Sequence, residues 1–136
     1  MNRILLLVLL CAVLVFTWVA LAQPSSQGVK KLTPEELKEM LASKQKVFLL
    51  DVREPHELDE MGAVEGYVNI PLGQLEGRLN EVPKDRTIVT ICRVGGRAGR
   101  AAELLNRNGY QTGGATGVTQ WKEKGYPVVY PKKNTK

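Results

Sequence analysis

The chain predicts an α/β fold, a small and largely parallel β-sheet sandwiched by helices on both faces. Three features of the sequence carry that expectation. Strand-like and helix-like runs alternate along the chain. Two runs, Val47-Phe48-Leu49-Leu50 and Thr87-Ile88-Val89-Thr90-Ile91, are continuously apolar or β-branched, as befits strands, the first of them buried on both faces. The second ends on Cys92, with Gly95-Gly96 and then an alanine-rich, arginine-bearing segment behind it, which reads as strand, tight loop and helix. A length of 136 residues suits one domain and is short for two.

In chain order, Val29-Lys30-Lys31-Leu32 reads as a brief strand. Thr33-Pro34-Glu35-Glu36 is a helix start, with a Thr cap, Pro at the first helical position and acids in the first turn. Leu37, Met40 and Leu41 give that helix one apolar face through Ala42. The strand Val47–Leu50 runs into Asp51-Val52-Arg53-Glu54, so polar groups gather at its carboxyl end. Pro55 to Met61 reads as a short helix, Tyr67 to Ile70 as a strand closed by Pro71, and Leu72, Leu75 and Leu79 as a small helix. Thr87–Ile91 is the central strand. Its helix runs from Arg97 to Asn108, packs through Ala101, Ala102, Leu104 and Leu105, and stops at Asn108-Gly109. Tyr110-Gln111-Thr112 is expected as an edge strand, with turns at Gly113-Gly114 and Gly117. Thr119 to Lys124 reads as the last helix, and Tyr126 to Val129 closes the domain.

Residues 1–22 stand apart from the fold. Arg3 gives a positive start, Ile4 to Val19 is almost unbroken apolar sequence, and Ala20-Leu21-Ala22 is a small-x-small cleavage pattern; together these are the parts of a secretory signal peptide. The alternative is an uncleaved membrane anchor, since the apolar run approaches the ~20 residues that span a bilayer. Residues 23–29 then read as a flexible mature start, 30–131 as the domain and 132–136 as a frayed tail. The expected location is outside the cytoplasm, periplasmic in a Gram-negative bacterium, with membrane contact only if the leader is retained. The net charge of +5 is mild, and its only basic clusters are Lys30-Lys31 and Lys132-Lys133. Without an aromatic-interleaved basic stripe, nucleic acid is not an expected partner.

Of the two cysteines, Cys11 lies inside the apolar leader, so the exported domain keeps Cys92 alone. An odd cysteine in an exported protein suggests a reactive thiol or an intermolecular bridge; the alternative is a buried inert cysteine, but Cys92 stands where the apolar strand pattern stops and arginines begin. Glycines let the loop after Cys92 curl around the sulfur, and a thiol in the field of loop amides, a helix N-terminus and guanidinium groups is favoured as thiolate. The cysteine therefore reads as a nucleophile in an anion-holding cradle formed by Arg93, Val94, Gly95, Gly96 and Arg97. Arg97 is suited either to an anionic donor or to bracing the loop. Arg93 reads as a recruiter of anions or a solvated surface group, and Arg100 as surface. Asp51 and Arg53, also at a strand's carboxyl end where α/β sheets gather ligands, read as supporting residues, Asp51 as a partner for loop or arginine donors. His56 has no second ligand near it in sequence, so no metal is expected; Trp121 reads as core.

Four motifs then resemble one family. Cys92-x-x-Gly95-x-Arg97 after an apolar strand resembles the active-site loop of rhodanese sulfurtransferases. Asp51-Val52-Arg53-Glu54-Pro55-x-Glu57 resembles their first signature, and Gly62-x-Val64-x-Gly66-x-Val68-Asn69-Ile70-Pro71 the stretch that follows it. Gly117-Val118-x-x-Trp121-x-x-x-Gly125-x-Pro127-Val128 resembles their closing motif. The resemblance implies a rhodanese-like fold and, without a cofactor, transfer of sulfane sulfur through a persulfide on Cys92. The donor would be a small thiosulfate-like anion and the acceptor a thiol, cyanide or a protein. Departures are Ala63 where histidine is frequent, Tyr67 for a small residue, Thr116 for a glycine, and Val94 where some thiosulfate-type members carry a basic residue. Two other functions fit the same loop. One is a non-catalytic persulfide carrier or binding module. The other is a cysteine phosphatase, but such enzymes place five residues between cysteine and arginine, and here four separate Cys92 from Arg97.

Overall fold

The structure, a computed structural model, describes residues 28–132 apart from residue 44. The expected leader with Cys11, most of the 23–29 start and nearly all of the tail lie outside the described residues. The elements are α1 (Pro34–Ala42), β1 (Val47–Asp51), α2 (Pro55–Met61), β2 (Tyr67–Asn69), α3 (Leu72–Leu75), β3 (Thr87–Cys92), α4 (Gly96–Arg107), β4 (Thr112–Gly117) and α5 (Val118–Glu123), with a 3₁₀ segment Glu76–Glu81 following α3. All four strands are parallel, in the order β2-β1-β3-β4. Among the described residues no helix is long and apolar enough to cross a membrane.

Alternation along the two central strands divides the core into two layers. Leu50 of β1 and Ile88 and Cys92 of β3 pack with Leu75, Ala98, Ala101 and Leu105 on one face of the sheet. Leu49, Val89 and Ile91 pack with Leu37 of α1 and with Val118 and Trp121 of α5 on the other. Leu37, Leu50, Leu75, Ile88, Ile91 and Leu105 are wholly buried, each stabilising the fold by about 1.5–3 kcal/mol through burial. Local signals agree with this packing. Thr33 accepts the Glu36 N–H at 3.2 Å and the Glu36 carboxylate accepts the Thr33 N–H at 2.9 Å, a reciprocal cap on α1. The end of α4 is closed by Gly109 N–H to Asn106 O and Tyr110 N–H to Leu105 O, both 3.1 Å.

The C-terminal half departs from the sequence reading at the glycines. The last strand is Thr112–Gly117, not Tyr110–Thr112, and Gly113-Gly114 and Gly117 lie within it rather than in turns. These positions lack side chains because neighbours press against the strand. A Cβ on Gly113 would meet Met40 Cε and Thr87 Cγ2 at 2.8 Å, and one on Gly114 would meet Lys30 O at 2.8 Å and Leu32 Cγ at 2.7 Å. Gly113 also falls where the β3–β4 register shifts, between Ile88↔Thr112 and Val89↔Gly114, a bulge that glycine tolerates. The expected strand at 29–32 is a single parallel bridge, Lys31↔Ala115, with Leu32 N–H to Ala115 O and Ala115 N–H to Lys30 O both 2.9 Å. The last helix begins one residue earlier than expected, at Val118, and α4 begins at Gly96 rather than Arg97.

Candidate active site

Parallel pairing brings the two polar strand ends together. Asp51 stands opposite Ile91 in the β1–β3 ladder, and the Val52 N–H donates to Ile91 O at 2.9 Å. The Asp51-Val52-Arg53 turn therefore lies beside Ile91-Cys92 at the carboxyl edge of the sheet. Cys92 is the last residue of β3 and is 1% exposed. Although it joins the core layer beneath α4, its Sγ accepts the Gly95 N–H at 3.0 Å. The chain makes this bond by turning through Gly95 at φ 107°, ψ −23°, a left-handed geometry that side chains resist and glycine permits. Gly96 then opens α4, whose 12 residues direct the positive end of the helix dipole toward the loop.

The loop is held from three sides. From β4 and α5, Arg93 O accepts the Thr119 N–H at 3.0 Å. Gly117 faces the Cys92 end of β3, and a Cβ there would lie 2.8 Å from the Val94 backbone. From below, the buried Thr90 hydroxyl donates to Ala98 O at 2.8 Å, fixing the first turn of α4 to the strand. From the side, Arg97 donates both arms of its guanidinium to Glu57 of α2, at 2.6 and 2.7 Å. Arg93 and Val94 reach solvent, Val94 being 67% exposed.

Two ion pairs flank this arrangement, one at the end of β1 and one between α4 and α2. Arg53 is wholly buried and clasps Asp51 through Nε at 2.9 Å and Nη2 at 2.6 Å. It also donates to Gly62 O at 2.9 Å. Asn69 of β2 ties the same turn by donating to Asp51 O at 3.0 Å and Arg53 O at 2.8 Å. In the second pair, hydrogen bonding from Arg97 holds the Glu57 carboxyl at about 2, well below its ordinary 4.5, against the opposing effect of its burial. Glu57 in turn raises Arg97, with smaller contributions from Cys92 and Asp51. The fork of Arg97 is thus occupied by a carboxylate on α2. Nothing local in the sequence marks Glu57, Asn69, Thr90 or Thr119 as part of the site. Glu57 stands in a quoted motif, but 40 residues separate it from Arg97, and no local pattern indicates their meeting.

The rhodanese-like domain family matches residues 33–124. The chain is a member of the rhodanese family. A sulfurtransferase from Allochromatium vinosum is 32% identical over 105 residues, covering 76% of this chain and 97% of the relative. The mitochondrial thiosulfate sulfurtransferase of Saccharomyces cerevisiae is 32% identical over 103 residues, covering 65% of this chain and 68% of the relative. Among solved structures, a rhodanese-related protein from Thermoplasma volcanium superposes with a TM-score of 0.63 at 32% identity, covering 74% of this chain and 97% of the other.

Two of the departures noted in this sequence, Tyr67 and Thr116, make side-chain contacts within the frame. At Ala63 the small side chain is fully buried, where the backbone exchanges two hydrogen bonds of 2.8 Å with Val129 and joins the closing segment to the α2–β2 connection. Tyr67 packs against the core layer that holds Trp121. The Thr116 hydroxyl donates to Leu32 O at 3.0 Å, adding a side-chain tie where the segment before α1 lies along β4. Each contact stabilises the rhodanese frame away from the sulfur.

Proposed function

We propose that this rhodanese is a sulfurtransferase that moves sulfane sulfur from a small anionic donor such as thiosulfate to a thiophilic acceptor, through a persulfide on Cys92. The observation that carries this reading is the Gly95 N–H aimed at Cys92 Sγ at 3.0 Å, at the mouth of a strand–loop–helix turn. In the first half-reaction the Cys92 thiolate attacks the outer sulfur of thiosulfate. The donor's S–S bond breaks, sulfite leaves with the electron pair, and the outer sulfur stays on Cys92. In the second, cyanide or a thiolate attacks that sulfur, and the Cys92 thiolate leaves. Dividing the transfer in this way is covalent catalysis with ping-pong kinetics.

Fixed donors aimed at developing charge in a water-poor site are worth roughly 2.7–4 kcal/mol each, and the Gly95 amide is so directed. Arg93, exposed beside the loop, attracts the anionic donor. Arg97, bound to Glu57, keeps the loop in register, and Asp51 with Arg53 supports it from β1. The apolar run and Ala20-Leu21-Ala22 before the domain support export, with the reaction taking place outside the cytoplasm.

Incubating the purified domain with thiosulfate and cyanide tests this. Continuous thiocyanate production, lost in Cys92→Ser, is the expected result. Sulfur loading without turnover would make the protein a carrier instead. Absence of loading would refute both.

A further inference from the structure

Beside the sulfur loop, a half-open groove of about 280 Å³, lined by neither Arg97 nor Glu57, runs along the first turns of α4. Val29 and the backbone of Gly99 contribute to its lining, Val94 stands at its loop end, and Lys31, Arg100 and Glu103 edge it. Its charge is unbalanced. Lys31 and Arg100 are exposed, neither makes an ion pair among the described residues, and Glu103 is the one acidic side chain in the lining.

Gly99 adds a second observation. Glycine inside a helix costs about 0.8–1 kcal/mol relative to alanine. Internal packing does not require it here, because a Cβ on Gly99 would meet nothing within 4 Å. The empty space above Gly99 is the groove itself.

We infer that this groove seats the acceptor, an extended acidic protein segment that presents its thiol to the sulfur on Cys92. A cavity of this size is at or below the range of about 300–1,000 Å³ that encloses small ligands, and its open side favours a strand of polypeptide over an engulfed molecule. Acidic side chains of the segment meet Lys31 and Arg100, and its backbone lies over Gly99. Val94 and Gly95 line the groove, and the Gly95 N–H donates to Cys92 Sγ at 3.0 Å, so a cysteine in the segment is delivered at the loop that holds the sulfur. Its thiolate attacks the outer sulfur of the persulfide, that sulfur's bond to Cys92 breaks, and the electron pair returns to Cys92 as the thiolate. The acceptor leaves as a persulfide, with no net oxidation.

This inference rests on Cys92 carrying transferable sulfur, so the test begins from protein loaded with thiosulfate and shown to discharge to cyanide. Failure at that stage counts against the sulfurtransferase reading, and the groove is tested only on protein that passes it. Discharge is then timed with three thiols: a cysteine peptide flanked by Asp and Glu, the same peptide flanked by Lys, and free cysteine. The acidic peptide is expected to react about tenfold faster than the other two at low ionic strength, an advantage lost in high salt. The double variant Lys31→Glu/Arg100→Glu reverses the order of the two peptides. Gly99→Leu fills open space and raises helix propensity, so it folds, and it lowers the ratio of acidic-peptide to cyanide discharge severalfold. Equal rates for the two peptides, free cysteine as fast as the acidic peptide, or a ratio unmoved by Gly99→Leu would each overturn the assignment.

Discussion

Replacing Glu57 with Gln removes the charge that holds Arg97 while keeping the shape of the side chain. The pair is bidentate, at 2.6 and 2.7 Å, with the side chains 11% and 29% exposed, so solvent screens it only partly. Lowering the carboxyl from 4.5 to about 2 corresponds to roughly 3 kcal/mol of preference for the charged form in the folded protein. The amide of Gln accepts one of the two hydrogen bonds, so the expected loss at neutral pH is about 2–3 kcal/mol. The sign with pH follows from a depressed acid. Its contribution is complete above the unfolded value near 4.5 and fades as pH falls toward the folded value of about 2, with roughly half gone by pH 3. Gln does not titrate. Urea unfolding of both proteins from pH 7 to pH 3 should therefore show a gap that is widest near neutrality and narrows in acid. Equal stability at pH 7, or a gap that stays constant down to pH 3, would refute the role given to the pair.

Three further changes probe other supports. Gly117→Ala places a Cβ about 2.8 Å from the Val94 backbone; it should cost about 1–3 kcal/mol by overpacking and slow sulfur loading more than discharge to cyanide, read from single-turnover rates. Asp51→Asn leaves Arg53 buried without its counter-charge and should destabilise the domain by about 3–5 kcal/mol, measured by denaturant midpoint. Thr33→Ala removes the α1 cap for about 1 kcal/mol and should leave thiocyanate production unchanged in a steady-state assay.

Elements whose signals are local were readable in the sequence. The Thr33-Pro34 cap, the buried runs at Val47 and Thr87, and the strand–loop–helix around Cys92 each declare themselves within a dozen residues. The glycine-rich β4 did not, because Gly113, Gly114 and Gly117 are dictated by Met40, Leu32 and Val94 pressing from distant parts of the chain. A strand lined by neighbours too close for a Cβ has the composition of a turn. The site followed the same division. Cys92 and its loop were legible as a unit, whereas the Glu57 carboxylate that occupies Arg97 and the Asn69 amide that secures the Asp51–Arg53 turn arrive through tertiary contacts. The sequence alone permits Arg97 either to bind a donor or to brace the loop, and in the structure both arms of its guanidinium are engaged by Glu57.

The most direct measurement is the intact mass of the domain after exposure to thiosulfate and removal of excess reagent. A gain of one sulfur atom that cyanide removes and that Cys92→Ser never acquires is the predicted outcome. An unchanged mass, or the same gain in the serine variant, would contradict a transferable sulfur carried on Cys92.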